Sequence, residues 1–307
     1  MTKKLWQKDI EMDALVEQFT VGKDREFDLL LAEHDVVASK AHAKMLQRAG
    51  LLSATDLKKV LEEFAKIEKQ IKQGEFVIEE GIEDVHSQIE FQLTKTAGEA
   101  GKKIHTGRSR NDQVLTAIKL YLKSELKTIS EQVKDLFEVF ISLSEKHKNV
   151  LLPGYTHLQI AMPSSFGLWL GAYAESFCDD MELVAAAYAI CNKNPLGSAA
   201  GYGSSFPLDR KQTTQLIGFN TLNINSVYAQ MTRGKSEKAV AMALSSIAQT
   251  LAKFSYDVCL YMSQNFDFIS FPEELTTGSS IMPHKKNPDI FELVRWKCNL
   301  IQGIPNQ

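Results

Sequence analysis

Three short stretches of this 307-residue chain gather side chains able to move protons and hold anions. The first runs Ile104-His105-Thr106-Gly107-Arg108-Ser109-Arg110-Asn111-Asp112-Gln113, immediately before a long apolar repeat. Two arginines, a serine and an asparagine converge there on a helix N-terminus, and both the helix end and the arginine fork favour carboxylates or phosphates. Taken alone, the stretch is equally compatible with Asn111 or Asp112 capping the helix while the arginines are solvated. The second is Pro153-Gly154-Tyr155-Thr156-His157-Leu158-Gln159, followed by Pro163. A Thr-His pair in a turn between helices can hold an imidazole in a cleft, or can be a structural histidine. The third is Thr276-Thr277-Gly278-Ser279-Ser280-Ile281-Met282-Pro283-His284-Lys285-Lys286-Asn287-Pro288-Asp289. Its Gly-Ser-Ser run is rich in backbone donors and its two lysines are cationic, the composition of a lid over an anionic ligand or of an ordinary basic loop.

The segments between these stretches read as long helices. All eight prolines lie at or beyond Pro153, so nothing breaks a helix in the first half. Leu115, Leu122, Ile129, Leu136 and Leu143 recur every seven residues, with Leu126, Val133 and Phe140 filling in at +4. Val240, Leu244, Ile247, Leu251, Phe254, Val258 and Tyr261 alternate spacings of four and three. Both are apolar stripes of helices packed on other helices, as in a bundle. Ser164–Cys191 is rich in Ala and Gly and reads as a buried helix with close neighbours, other subunits included. Shorter helices are expected over Asp24–Gly50 and Ala54–Gln73, a short extended piece at Glu75–Ile78, and a new helix from Ile290 to Ile301. There is no βαβ alternation and no internal repeat, and Gly98-Glu99-Ala100-Gly101-Lys102-Lys103 lacks the spacing and the Ser/Thr of a phosphate loop.

Composition excludes several classes. Lys+Arg 35 against Asp+Glu 38 gives a net charge of −3, with no basic excess to hold a nucleic-acid backbone. No run of about 18 apolar residues is present, so no membrane span is expected. The N-terminus turns acidic at Asp9, Glu11 and Asp13 without an apolar region, unlike a signal peptide. Cys178, Cys191, Cys259 and Cys298 form no CxxC pair and read as reduced structural thiols of a cytoplasmic protein.

Gly278-Ser279-Ser280-Ile281-Met282-Pro283-x-Lys285-x-Asn287-Pro288 resembles the signature of the fumarase/aspartase superfamily. The His105–Gln113 block and Gly154-Tyr155-Thr156-His157-Leu158-Gln159 are similar to those of one branch, the argininosuccinate lyases. So are Glu83-Asp84-Val85-His86, Asn194-Pro195-Leu196-Gly197-Ser198 and Phe206-Pro207-Leu208-Asp209-Arg210. The resemblance implies β-elimination of argininosuccinate to arginine and fumarate, a step of arginine biosynthesis, with no organic cofactor and no metal. It implies that Ser279 and His157 form the acid/base pair, in roles left open between them. Lys285 would hold the aci-carboxylate, with Asn287 bonded to the same end of the substrate. Ser109, Arg110, Asn111 and Thr156 would contact carboxylates, His86 and Asp84 the arginine half, and Arg108 would support its loop.

The resemblance further implies an all-α fold. A smaller, mainly helical N-terminal domain spans 1–104, and a central long-helix bundle spans 105–307, incomplete at its C-terminal end because relatives continue well past residue 307. Four such bundles would make a homotetramer whose active sites each draw on three chains. Gly22 stands where many relatives have Ser, Met162 where Gln is common, and His284 where Gln is usual. Three alternatives stay open: another superfamily lyase such as adenylosuccinate lyase, aspartase or fumarase; a non-catalytic, crystallin-like structural protein; or a fragment that folds without activity.

Overall fold

A computed structural model describes residues 23–282 and 284–306; Gly22 lies outside them. After a short helix at Asp24–Asp28 and a 3-10 turn at Leu29–Leu31, the order is α1 (Ala32–Arg48), α2 (Ala54–Gln73), α3 (Val85–Ala97), α4 (Arg110–His147), β1 (Leu151–Thr156), β2 (Gln159–Ser165), α5 (Phe166–Cys191), α6 (Arg210–Ile217), α7 (Ser226–Met231), α8 (Lys235–Tyr261) and α9 (Asp289–Gly303). No described helix is long and apolar enough to cross a membrane.

The chain divides into two compact units: Met1–Ser124 with Cys191–Lys235, and Glu125–Ile190 with Ser236–Gln307. The sequence suggested one division, at 104/105. The units divide the chain at three points, because α4 and α8 each contribute residues to both and the segment 191–235 belongs with the N-terminal residues.

In the first unit, Val36, Met45, Leu46, Val60, Phe64, Ile67, Ile89, Leu93 and Ile104 form one apolar cluster from α1, α2, α3 and the turn before α4. Helix α2 keeps its expected limits because both ends are set locally. Ser53 accepts from the Asp56 amide at 3.0 Å, and Gly74 closes the helix with φ +70°. Asp24–Gly50 is broken at Leu29–Leu31. The extended piece at Glu75–Ile78 is not a strand: the backbone there is irregular and is anchored by buried Phe76. Lys119 occupies an apolar-stripe position of α4, yet is fully buried, and its Nζ donates to Asn223 Oδ1 at 2.9 Å, fastening segment 191–235 to the helix.

In the second unit, α4, α5 and α8 supply the packing. Leu126, Val133 and Phe140 of the α4 stripe are buried, whereas Ile129 and Leu136 are half-covered, like Leu122 in the part of α4 that belongs to the first unit, and Leu143 is exposed. The small-residue reading of α5 is explained at Gly167: an added Cβ would lie 2.5 Å from Lys148 Cα and 2.6 Å from Ser144 O. Ser144 Oγ also donates to Gly167 O at 2.7 Å. Asp180 of α5 accepts from Thr250 of α8 at 2.7 Å, and Asp257 of α8 accepts from Trp169 Nε1 at 3.0 Å and Tyr173 Oη at 2.6 Å. All four cysteines are free thiols.

The expected turn around Thr156–His157 is a β-hairpin. Strands β1 and β2 pair antiparallel with Pro153 opposite Pro163, and a register shift at Gly154/Tyr155. Neither proline has an amide hydrogen to lose, so the pair fits facing positions on a two-stranded ribbon.

Candidate active site

The His105–Gln113 block lies in the first unit and is a densely bonded corner at the start of α4. Ser109 Oγ accepts from the Asn111 amide at 3.3 Å, while Asp112 Oδ1 accepts from the Ser109 amide at 2.9 Å. That reciprocal arrangement is a capping box, so the bland capping role is real. Asp112 does more than cap. Its Oδ2 accepts from the amides of Gly197 at 2.8 Å and Ala199 at 2.9 Å, tying the Asn194–Ser198 loop to the corner. Burial pushes the Asp112 carboxyl pKa upward, against the pull of these three amides. Arg233 Nη2 donates to Asn111 O at 2.7 Å, and the Asn111 side chain is left at the surface.

Arg110 is half-buried. Its Nη2 donates to Ser87 Oγ at 2.8 Å and its Nη1 to Gln113 Oε1 at 3.2 Å. Asp84 and Glu90 each stand 3.8 Å from the guanidinium, close enough for Coulomb attraction and too far for hydrogen bonds. Asp84 is the N-cap of α3, accepting from the Ser87 amide at 2.6 Å. Burial pushes Glu90 up, but His105 and the two arginines hold its pKa below the usual carboxylate range. Arg108 donates to Ser39 Oγ at 2.7 Å from a buried position.

His86 does not face the surface with Asp84. It is buried, with Nδ1 3.0 Å from Asp35 Oδ1. Asp35 is itself fully buried. Burial alone would raise its pKa, but His86, Arg108 and Gln113 bring it down to about 2. His42 Nε2–H donates to Thr106 O at 2.9 Å, and burial together with Arg108 pushes its pKa down to about 3. Asp35, Gln113, Arg233 and Glu90 were not singled out from sequence as supports of the corner. Gln113 lies within the quoted block, one turn after Arg110, but Asp35, Arg233 and Glu90 have no local spacing to mark them, since each reaches the corner across 20 or more residues.

Thr156 and His157 sit at the tip of the hairpin in the second unit. His157 has φ +54° and Leu158 φ +58°, so both residues of the two-residue turn are left-handed without being glycine. Such a turn matches the twist of the strands, at a cost of about 1 kcal/mol or more per non-glycine residue. The imidazole is exposed, and the ribbon behind it is buttressed by Tyr155, edge-on to Phe266 at 5.6 Å. The Thr276–Asp289 segment, also in the second unit, is an exposed loop closed at its neck. Thr277 N donates to Asn287 O at 3.3 Å and Asn287 N to Thr277 O at 2.8 Å. Thr277 Oγ1 also donates to Asp289, and Asn287 Nδ2 to Thr277 Oγ1 at 3.3 Å. Ser279 is half-buried and Lys285 exposed within the loop. No hydrogen bond or ion pair joins the Thr156–His157 tip to the Ser279–Lys285 loop among the described residues. No group of three His, Cys, Asp or Glu side chains suited to a metal is present among them either.

A family model described as "Lyase" matches residues 7–303. An argininosuccinate lyase of Phocaeicola vulgatus is 60% identical over 307 residues, all of this chain and 69% of the relative. One from Stenotrophomonas maltophilia is 43% identical over 296 residues, 96% of this chain and 69% of the relative. Among solved structures, an EDDS lyase in complex with formate superposes with a TM-score of 0.82 at 25% identity, covering 96% of this chain and 58% of that one. A fumarate lyase:delta crystallin from Brucella melitensis gives 0.80 at 21% identity, over 99% of this chain and 74% of that one. The chain thus spans about 58% to 74% of the length of these proteins. Motif order, helical architecture and full-length identity agree that the chain belongs to the lyase family, within its argininosuccinate lyase branch.

Proposed function

We propose that the chain catalyses β-elimination of argininosuccinate to arginine and fumarate. The observation that carries this reading is the 60% identity to a curated argininosuccinate lyase along the whole chain, with all three chemical segments intact. Elimination removes a proton from the carbon beside a carboxylate, leaves the electron pair on that carboxylate as a dianionic aci-form, and then expels the guanidino nitrogen. One of His157 and Ser279 takes the proton from carbon and the other gives a proton to the departing guanidino nitrogen, in roles left open between them. A serine hydroxyl acts as a base only where desolvation, nearby amides and a cation such as Lys285 stabilise its oxyanion. Lys285 and Asn287 hold the carboxylate on which charge develops. Arg110, Asn111, Ser109 and Thr156 bind the remaining carboxylates. Asp84 contacts the arginine half, whereas His86, buried against Asp35, is assigned no direct contact with it.

The working form is a homotetramer in which each active site takes the corner, the hairpin tip and the loop from different copies. Uncovered apolar side chains on the second unit support assembly: Leu151 is 80% exposed, Ile160 74%, Met162 71% and Leu168 68%. Fumarate absorbance on adding argininosuccinate tests the activity, and light scattering of the same sample tests the assembly. Fumarate release at the rate of an established lyase, from a particle of four chains, is the expected result. Release only from adenylosuccinate or aspartate redirects the reading to another member of the superfamily, and full turnover by a monomer removes the composite site.

A further inference from the structure

We propose that Gln113 is a positioning residue, which aims the Arg110 guanidinium at the substrate carboxylate by coupling it to the buried Asp35 carboxylate. The inference rests on the proposed role of Arg110. Gln113 is buried one turn after Arg110 on the same face of α4. Its Nε2 donates to Asp35 Oδ1 at 2.9 Å, and its Oε1 accepts from Arg110 Nη1 at 3.2 Å. The amide can point only one way between these neighbours, since a carboxylate only accepts and a guanidinium only donates. Asp35 therefore fixes the rotamer of Gln113, and Gln113 presents Arg110 with an oxygen that carries no full charge. Ser87 Oγ supplies a second neutral acceptor at 2.8 Å, on Nη2.

The consequence is geometric and electrostatic together. Two of the five N–H groups of Arg110 are held by neutral oxygens, which sets the plane of the fork. The other three remain for a ligand. Had Asp35 bonded Arg110 directly, a buried ion pair would have taken up the charge that the substrate needs. Without Gln113, the guanidinium is free to close the 3.8 Å gaps to Asp84 and Glu90 and pair with them instead.

The test compares Gln113→Met, Gln113→Glu and Arg110→Ala in the chain at its native length, with argininosuccinate as substrate, fumarate as product inhibitor and thermal melting as the check on folding. Gln113→Met should raise KM and the fumarate inhibition constant together, by about tenfold, as expected for a lost bond to a charged group, with kcat within about twofold. Gln113→Glu keeps the shape but puts a carboxylate on Arg110, and should raise both constants at least as far. Adding Gln113→Met to Arg110→Ala should raise KM no further. An unchanged KM in Gln113→Glu, or additive effects in the double variant, overturns the positioning role while the Arg110 effect preserves the carboxylate reading. An unchanged KM in Arg110→Ala removes that reading and this inference with it.

Discussion

The corner at the start of α4 and the loop carrying Ser279 are both polar, Gly-punctuated segments, and they are built in opposite ways. Around the corner, Asp35, His42, Arg108, Asp112 and Gln113 are all buried, and each has at least one hydrogen bond to a distant part of the chain, although Asp35 Oδ2, His42 Nδ1 and Arg108 Nε have none. The loop makes its hydrogen bonds chiefly to itself, at a neck formed by Thr277, Asn287 and Asp289. A buried polar network is rigid because every broken bond leaves an unsatisfied group. An exposed neck opens at little cost because water replaces what is lost. The proposed function gives the two different duties: the corner would recognise a carboxylate present throughout the reaction, whereas the loop would close on charge that appears during it.

The largest expected consequence is an unequal response to pH. His42 titrates near 6.5 when unfolded and at about 3 when folded, so its contribution to stability is complete above pH 6.5 and lost as pH falls toward 3. That shift is worth on the order of 4–5 kcal/mol. Asp35, held ionised down to about 2, adds a further loss below about pH 4. In the second unit two tyrosines shift the other way: burial and Asp257 raise the Tyr173 phenol, and burial raises Tyr261. Their contribution is complete below about pH 10 and is lost as pH rises beyond it. Hydrogen exchange along an acid titration should show α1 losing protection before α5, and His42→Gln should remove most of the loss between pH 6.5 and 4. Simultaneous opening of both units in acid would break the contrast.

Next in size are the two groups proposed to react. Ser279→Ala and His157→Asn should each lower kcat at least ~100-fold, about 2.7 kcal/mol on the barrier, without moving the melting temperature. Asn111→Ala in the corner should instead act mainly on KM. A kcat loss confined to the corner variant would reverse the assignment of duties. Gly167→Ala should destabilise by roughly 1–3 kcal/mol, because its new methyl meets the α4 backbone and α5 must shift. Unchanged melting of that variant would mean that the two helices yield more easily than their contact distances indicate. The smallest effect is expected at the neck. Thr277→Val removes two exposed hydrogen bonds and should cost less than about 1 kcal/mol of stability while altering kcat through loop closure. A large drop in melting temperature would place the loop among the rigid parts.

Most of the helices were legible, and the reason is local. Ala54–Gln73 carries its own start signal in Ser53 and its own stop in Gly74, so its limits needed no tertiary information. The Leu126–Val133–Phe140 seam was equally legible, although sequence alone did not show that the neighbouring Leu122–Leu136 line would remain half-covered. The hairpin was not legible, because Pro153 and Pro163 argue against strands and a turn of His157 and Leu158 lacks the Asn-Gly signal. The residues of the three chemical segments could be named from their motifs. Most of their long-range supports could not, since Asp35 reaches the corner over 78 residues and the Asp112 tie to Gly197 spans 85.

The left-handed pair at the hairpin tip has a consequence for anyone seeking a hardier catalyst. Leu158→Gly is the substitution a stability screen would reward, since glycine accepts φ +58° without penalty. The gain would come from relieving that strain, but the same change lets the ribbon end wander, and on the proposed function an imidazole mounted on a wandering end would meet its substrate less often in a reactive pose. Melting point and turnover should therefore move in opposite directions at this position.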